Sequence, residues 1–134
     1  MSASGAESDL ARLLAGMRPE LRDGTYLFCS LPDGSLPAGL APLATFREAE
    51  GLTLVLSAEE AERHGIAGVF EAAWITLTVH SDLAAVGFLA AVAAALAAEG
   101  IACNAIAAFH HDHLFVPVEM AERAMAVLAR LQRD

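Results

Sequence analysis

Positive charge is what this 134-residue chain has least of: 8 basic residues stand against 17 acidic ones, a net charge of −9. Such a surface repels phosphate backbones and anionic headgroups, so neither nucleic acid nor a membrane surface is expected as a partner. Cysteine is scarce too. Cys29 and Cys103 each lie in an apolar run and read as core thiols, not as a disulfide framework. The opening MSASGAESDL has no basic region followed by an apolar one, so no secretory leader is expected and a cytoplasmic protein is. The segment most like a membrane span, Leu83–Ala98, is mostly alanine and only 16 residues long. A span needs roughly 20 apolar residues. No nucleophile elbow, Walker loop or dinucleotide fingerprint occurs. The carboxylates cluster on predicted helices and turns rather than as an isolated pair in apolar surroundings, where acid–base chemistry would place them. The chain therefore reads as non-enzymatic and without a cofactor.

What is present is apolar bulk: 56% of residues, enough for a real core in one domain or two small modules. Ser8 precedes the pattern Leu10, Leu13, Leu14, Met17, a short helix that Pro19 closes. Thr25–Leu31 reads as a strand, Pro32–Pro42 as a Pro/Gly loop. Leu43–Arg47 and Leu52–Leu56 form a hairpin. Ser57 and Glu60 form a capping box for the next helix, which Gly65 stops. In the second half Trp74–His80 alternates as a strand, and Ser81-Asp82 caps an apolar helix ended by Glu99-Gly100. Ile101–Phe109 and the HLFVPV segment then pair as antiparallel strands. Glu119–Leu131 closes as a helix with Ala121, Ala124, Leu128 and Leu131 along its buried stripe and a Glu119–Arg123 pair outside.

Three histidines and an aspartate, His110, His111, Asp112 and His113, fall between those last two strands. A two-residue connection at His111-Asp112 makes this a hairpin tip. In an extended chain His111 and His113 share one face and His110 the other, and no helical H-x-x-x-H spacing occurs, so no metal site is expected.

Strand, helix, strand, strand, helix is most of a ferredoxin-like βαββαβ unit. The stretch ITLTVHSDLAAVGFLAAVAAALAAEGIACNAIAAFHHDHLFVP resembles an ACT domain, a small regulatory module of amino-acid metabolism. Together, TYLFCSLPDG, ATFREAEGLTLVL, LTVHSDLAAVG and FHHDHLFVP resemble a family of short bacterial proteins carrying two ACT-like modules in tandem, described as amino-acid-binding. The resemblance implies an α+β fold, with modules at residues 1–68 and 69–134, neither complete alone, so that one borrows a strand. It also implies effector contacts at Ser81, Asp82, Leu83, Val86, Gly87, Asn104 and Ile106. Ala84-Ala85 stand where many ACT loops have Pro-Gly.

The chemistry of those residues fits an amino acid. A helix N-terminus after Ser81-Asp82 offers amides to a carboxylate, Asp82 could answer an ammonium, and Asn104 both donates and accepts. Three functions stand side by side: a sensor of an amino acid or similar metabolite, a ligand-free interaction module, and a metal-binding protein using His110, His111, Asp112 and His113. A homodimer is expected, because a helix without a polar stripe would expose Phe88, Leu89, Val92 and Leu96.

Overall fold

The computed structural model describes residues 8–134. In chain order its elements are α1 (Leu10–Gly16), β1 (Pro19–Leu21), β2 (Tyr26–Leu31), β3 (Ala44–Glu48), β4 (Gly51–Ser57), α2 (Ala58–Arg63), β5 (Val69–Leu77), α3 (Phe88–Ala98), β6 (Asn104–Ala107), β7 (Asp112–Pro117) and α4 (Ala121–Arg133). Two compact units emerge. Residues up to Arg22 join Ala73–Asp134 in a discontinuous unit, and Asp23–Ala72 form a continuous one. This differs from the division expected at residue 68, because the N-terminal stretch leaves the residues that follow it.

The cause is β1. Asp9, rather than Ser8, caps α1 by accepting from the Arg12 amide at 3.1 Å. Leu13 and Met17 are fully buried. Pro19 does more than end the helix: it opens a short strand in register with β5, Pro19 opposite Leu77 and Leu21 opposite Ile75. That strand completes the discontinuous unit's sheet in the order β6-β7-β5-β1. The continuous unit has the order β3-β4-β2-β5, using Val69 and Ala72 of β5 as partners of Phe28 and Tyr26. Each sheet thus runs second, third, first, fourth, the ferredoxin-like α+β arrangement expected from the sequence.

The discontinuous unit's core is Leu13, Met17, Ile75, Leu77, Phe88, Val92, Leu96, Leu114, Val116, Ala124 and Leu128. α4 contributes Ala124, Val127 and Leu128. Its Arg123 donates to the Glu99 carbonyl at 2.9 Å instead of pairing with Glu119. The continuous unit has a smaller core of Cys29, Leu40, Leu54, Leu56 and Ala61. Cys29 and Cys103 are both unpaired, and burial raises the pKa of both thiols.

α3 corrects two expectations. It begins at Phe88, not after Ser81-Asp82, and its N-cap is Gly87 at φ 95°, a left-handed conformation that costs glycine nothing. Ser81–Gly87 are loop. Second, Phe88, Val92 and Leu96 lie on one stripe, buried in this chain's own core, with Leu89 packed against it. The outward positions are Ala90, Ala93, Ala94 and Ala97. The exposed apolar face that called for a second copy does not exist, because alanine methyls face water at little cost. Among the described residues no helix is long and apolar enough to cross a membrane.

Candidate functional site

Where β5 gives way to the Ser81–Gly87 loop, the discontinuous unit has a half-open cavity of about 140 Å³. Ser81, Asp82, Leu83, Ala85 and Gly87 line it from the loop, Phe88, Leu89 and Ala90 from the first turn of α3, and Ala107 and Asp112 from the sheet. The first intrahelical bond of α3 is Ala91 N–H to the Gly87 carbonyl, at 2.9 Å. The amides of Phe88, Leu89 and Ala90 precede it, and no side chain caps them. With Gly87 in place of a Ser or Asp cap, the positive end of the helix is left to whatever enters the cavity.

The opposite charge is supplied by Asp112, only 5% exposed. Ser81 Oγ donates to its Oδ2 at 3.0 Å. Burial raises the carboxyl's pKa, and the Ser81 hydrogen bond, His113 and His111 pull the other way. Asp82 is tied differently: its Oδ1 accepts from the Ala84 amide at 2.9 Å, an Asx turn that shapes the loop.

The expected contacts divide. Ser81, Asp82, Leu83 and Gly87 line the cavity; Val86, 85% exposed, does not. Asn104 and Ile106 do not line it either. They lie opposite Phe115 and His113 in the β6–β7 register, whereas Ala107 lies opposite Asp112. Side chains alternate faces along a strand. The helix-facing set is therefore Ala105, Ala107, Asp112, Leu114 and Val116, and Asn104 and Ile106 lie on the opposite face. Asn104 is also exposed, not a buried amide in need of partners.

The His–Asp cluster is not a two-residue tip. The turn is Ala108–His111, and Asp112 is the first residue of β7, opposite Ala107. The histidines then go to separate partners. His111 Nδ1 lies 3.2 Å from the Val79 carbonyl. His110 sits against His80, with ring centroids 5.2 Å apart. His113 Nδ1 accepts from Trp74 Nε1 at 3.0 Å and lies 3.1 Å from Thr76 Oγ1, to which Arg22 Nε donates. Among the described residues no three His, Cys, Asp or Glu side chains are placed to hold a metal ion. Sequence reasoning missed Asp112 as a wall of the site. The signal available was its even spacing from Leu114 and Val116, which puts all three on the core face.

Two family models match the chain, both described as ACT domain, one over residues 5–73 and the other over 69–130. They overlap at residues 69–73, the start of β5. Among solved structures, a Vibrio cholerae protein of unknown function, described as a possible transport protein, is 48% identical with a TM-score of 0.83. The match covers 92% of this chain and 95% of that one. An Agrobacterium tumefaciens protein is 19% identical with a TM-score of 0.69, over 85% of this chain and 87% of its own. The ligand-free regulatory subunit of aspartate kinase from Thermus thermophilus is 12% identical with a TM-score of 0.65, over 87% and 97%. These last two share the fold. No curated protein matches.

Proposed function

The chain belongs to the ACT-domain family, whose members are ligand-binding regulatory modules, and from that premise we propose that it is a non-catalytic sensor of an amino acid. One observation carries the reading: an uncapped helix N-terminus opens into a small cavity whose far wall holds a buried carboxylate. A zwitterion has a group for each. The ligand would contact Ser81, Asp82, Leu83 and Gly87 of the loop, the first turn of α3, and Asp112. The same fold serves as the regulatory subunit of aspartate kinase in Thermus thermophilus. A cytoplasmic setting accords with two free thiols. A homodimer stays in the proposal on narrower ground, the exposed Leu83 and Val86 of the loop and Phe109 of the β6–β7 turn; light scattering at micromolar concentration tests it.

A thermal-shift screen of the twenty amino acids tests the function. A ligand at 100 times its Kd adds about 2.7 kcal/mol of stability, a shift of several degrees for a chain of this size. No shift with any amino acid would leave the ligand-free interaction module as the better reading.

A further inference from the structure

We infer that Asp112 is the residue that selects the ligand, and that the cavity takes a small amino acid with an uncharged side chain, its ammonium on Asp112 and its carboxylate on the α3 amides. The inference rests on the amino-acid-sensor reading and narrows it. Charge comes first. Among the described residues the ionisable groups lining the cavity are Asp82 and Asp112, both acidic. The discontinuous unit's arginines are engaged elsewhere or lie off the cavity: Arg22 with Glu20 and Thr76, Arg123 and Arg130 with Glu99. A ligand bearing a second carboxylate would place it beside aspartates with no cation to answer it.

The division of labour between the two aspartates follows from their partners. Asp82 Oδ1 is committed to the Ala84 amide and holds the loop. Asp112 has one oxygen on Ser81, and the residue lines the cavity. A carboxylate this little exposed gains most from a partner of opposite charge. An ammonium supplies both the charge and the donor, and charge-assisted bonds of this kind are the strong ones. Ser81 fixes the carboxylate's orientation, which makes the site directional.

Size sets the rest. At about 140 Å³ the cavity lies well under the roughly 300–1,000 Å³ of pockets that hold drug-sized ligands. Its remaining walls are apolar: Leu83, Ala85, Phe88, Leu89 and Ala107. A short aliphatic or hydroxyl side chain fits those walls, and an aromatic or a long cationic one would have to extend out of the cavity's open side.

Calorimetric titration of the full chain with glycine, L-alanine, L-serine, L-aspartate, L-tryptophan, propionate and ethylamine tests this. One or more of the three small amino acids should bind, and removing the amine or the carboxylate should weaken binding about tenfold or more. Asp112→Asn should cause the same loss for the amino acid and less than about twofold for propionate, while Asn104→Ala changes neither. Tighter binding of aspartate or tryptophan than of the small amino acids would overturn the inference and leave the sensor reading intact. So would propionate binding as well as alanine, a comparison on the unmodified chain that stands even where Asp112→Asn fails to fold. Silence from all twenty amino acids in the thermal screen would remove the sensor reading itself.

Discussion

The two units have the same strand order and different means of binding anything. In the discontinuous unit the first strand, β5, is followed by a loop and an 11-residue helix, α3, whose N-terminus faces a cavity. In the continuous unit the first strand, β2, is followed by Pro32–Leu43, which contains no helix. The loop takes over the helix's packing duty in part. Leu40 is 7% exposed and joins Cys29, Leu54, Leu56 and Ala61, while the Ala41 amide donates to Glu60 Oε1 at 3.0 Å. It cannot take over the electrostatic duty, since without a helix there is no cluster of free amides and no dipole. What this unit offers instead is an open groove along Phe28–Ser30 and Ala67–Val69, with Glu48 as its charged wall. The ferredoxin-like sheet is a platform; what differs between the units is the segment that follows its first strand.

The largest effect should come from emptying the core under α3. Leu96 is fully buried, and Leu96→Ala should cost about 2–5 kcal/mol, read as a fall in the denaturant midpoint. Ala93→Glu on the outward face should change stability by less than about 0.5 kcal/mol. An equal loss from both would mean the helix is covered on two sides, and would restore the case for a partner lying on it. Leu40→Ala tests the other half of the comparison. A loss near the lower end of the same range, with faster amide exchange confined to residues 23–72, would show the loop substituting for a helix. Ser57→Ala should cost less, about 1 kcal/mol, since it removes one cap bond, the 3.1 Å acceptance from the Glu60 amide.

How much of this was legible depends on whether a feature is local. The Ser57 cap and the Glu99-Gly100 stop are local, and each reads directly from residue type; β5, expected at Trp74–His80, runs Val69–Leu77. β1 is not local. Three residues beginning with proline carry no strand pattern; only the pairing with Leu77, Thr76 and Ile75 makes them one. The start of α3 was misplaced because Ser-Asp signals a cap and an Asx turn equally well, and the chain uses it for the turn. A two-residue turn at His111-Asp112 would leave Asp112 in solvent; the turn is Ala108–His111, which places Asp112 in the wall of the site. The site was thus legible as a loop and not as a carboxylate.

The smallest effect expected is on the face of the discontinuous unit's sheet that lacks helices. There Arg22 donates to Thr76, and Trp74 donates to His113 Nδ1, so that nitrogen carries no proton; Thr76 Oγ1 lies 3.1 Å from it. Protonating that nitrogen breaks the Trp74 bond, because two N–H donors then face each other. Burial, His111 and Arg22 lower the His113 pKa below the ordinary 6.5, with Asp112 opposing. The folded chain therefore binds fewer protons here than the unfolded one between the lowered value and 6.5, and stability is lost as pH falls through that window. Asp112 acts in the reverse sense: its pKa is raised above 3.8, so the folded chain holds more protons and stability falls as pH rises from there to the raised value. Ring exposure keeps the histidine contribution modest. The chain's single tryptophan is the reporter. Trp74 fluorescence should titrate with a midpoint below 6.5 in the folded protein, and His113→Gln should abolish that transition and flatten the thermal midpoint between that value and 6.5. A midpoint at or above 6.5 would mean that protonation leaves the Trp74 bond intact and that the ring is held by something other than its acceptor nitrogen.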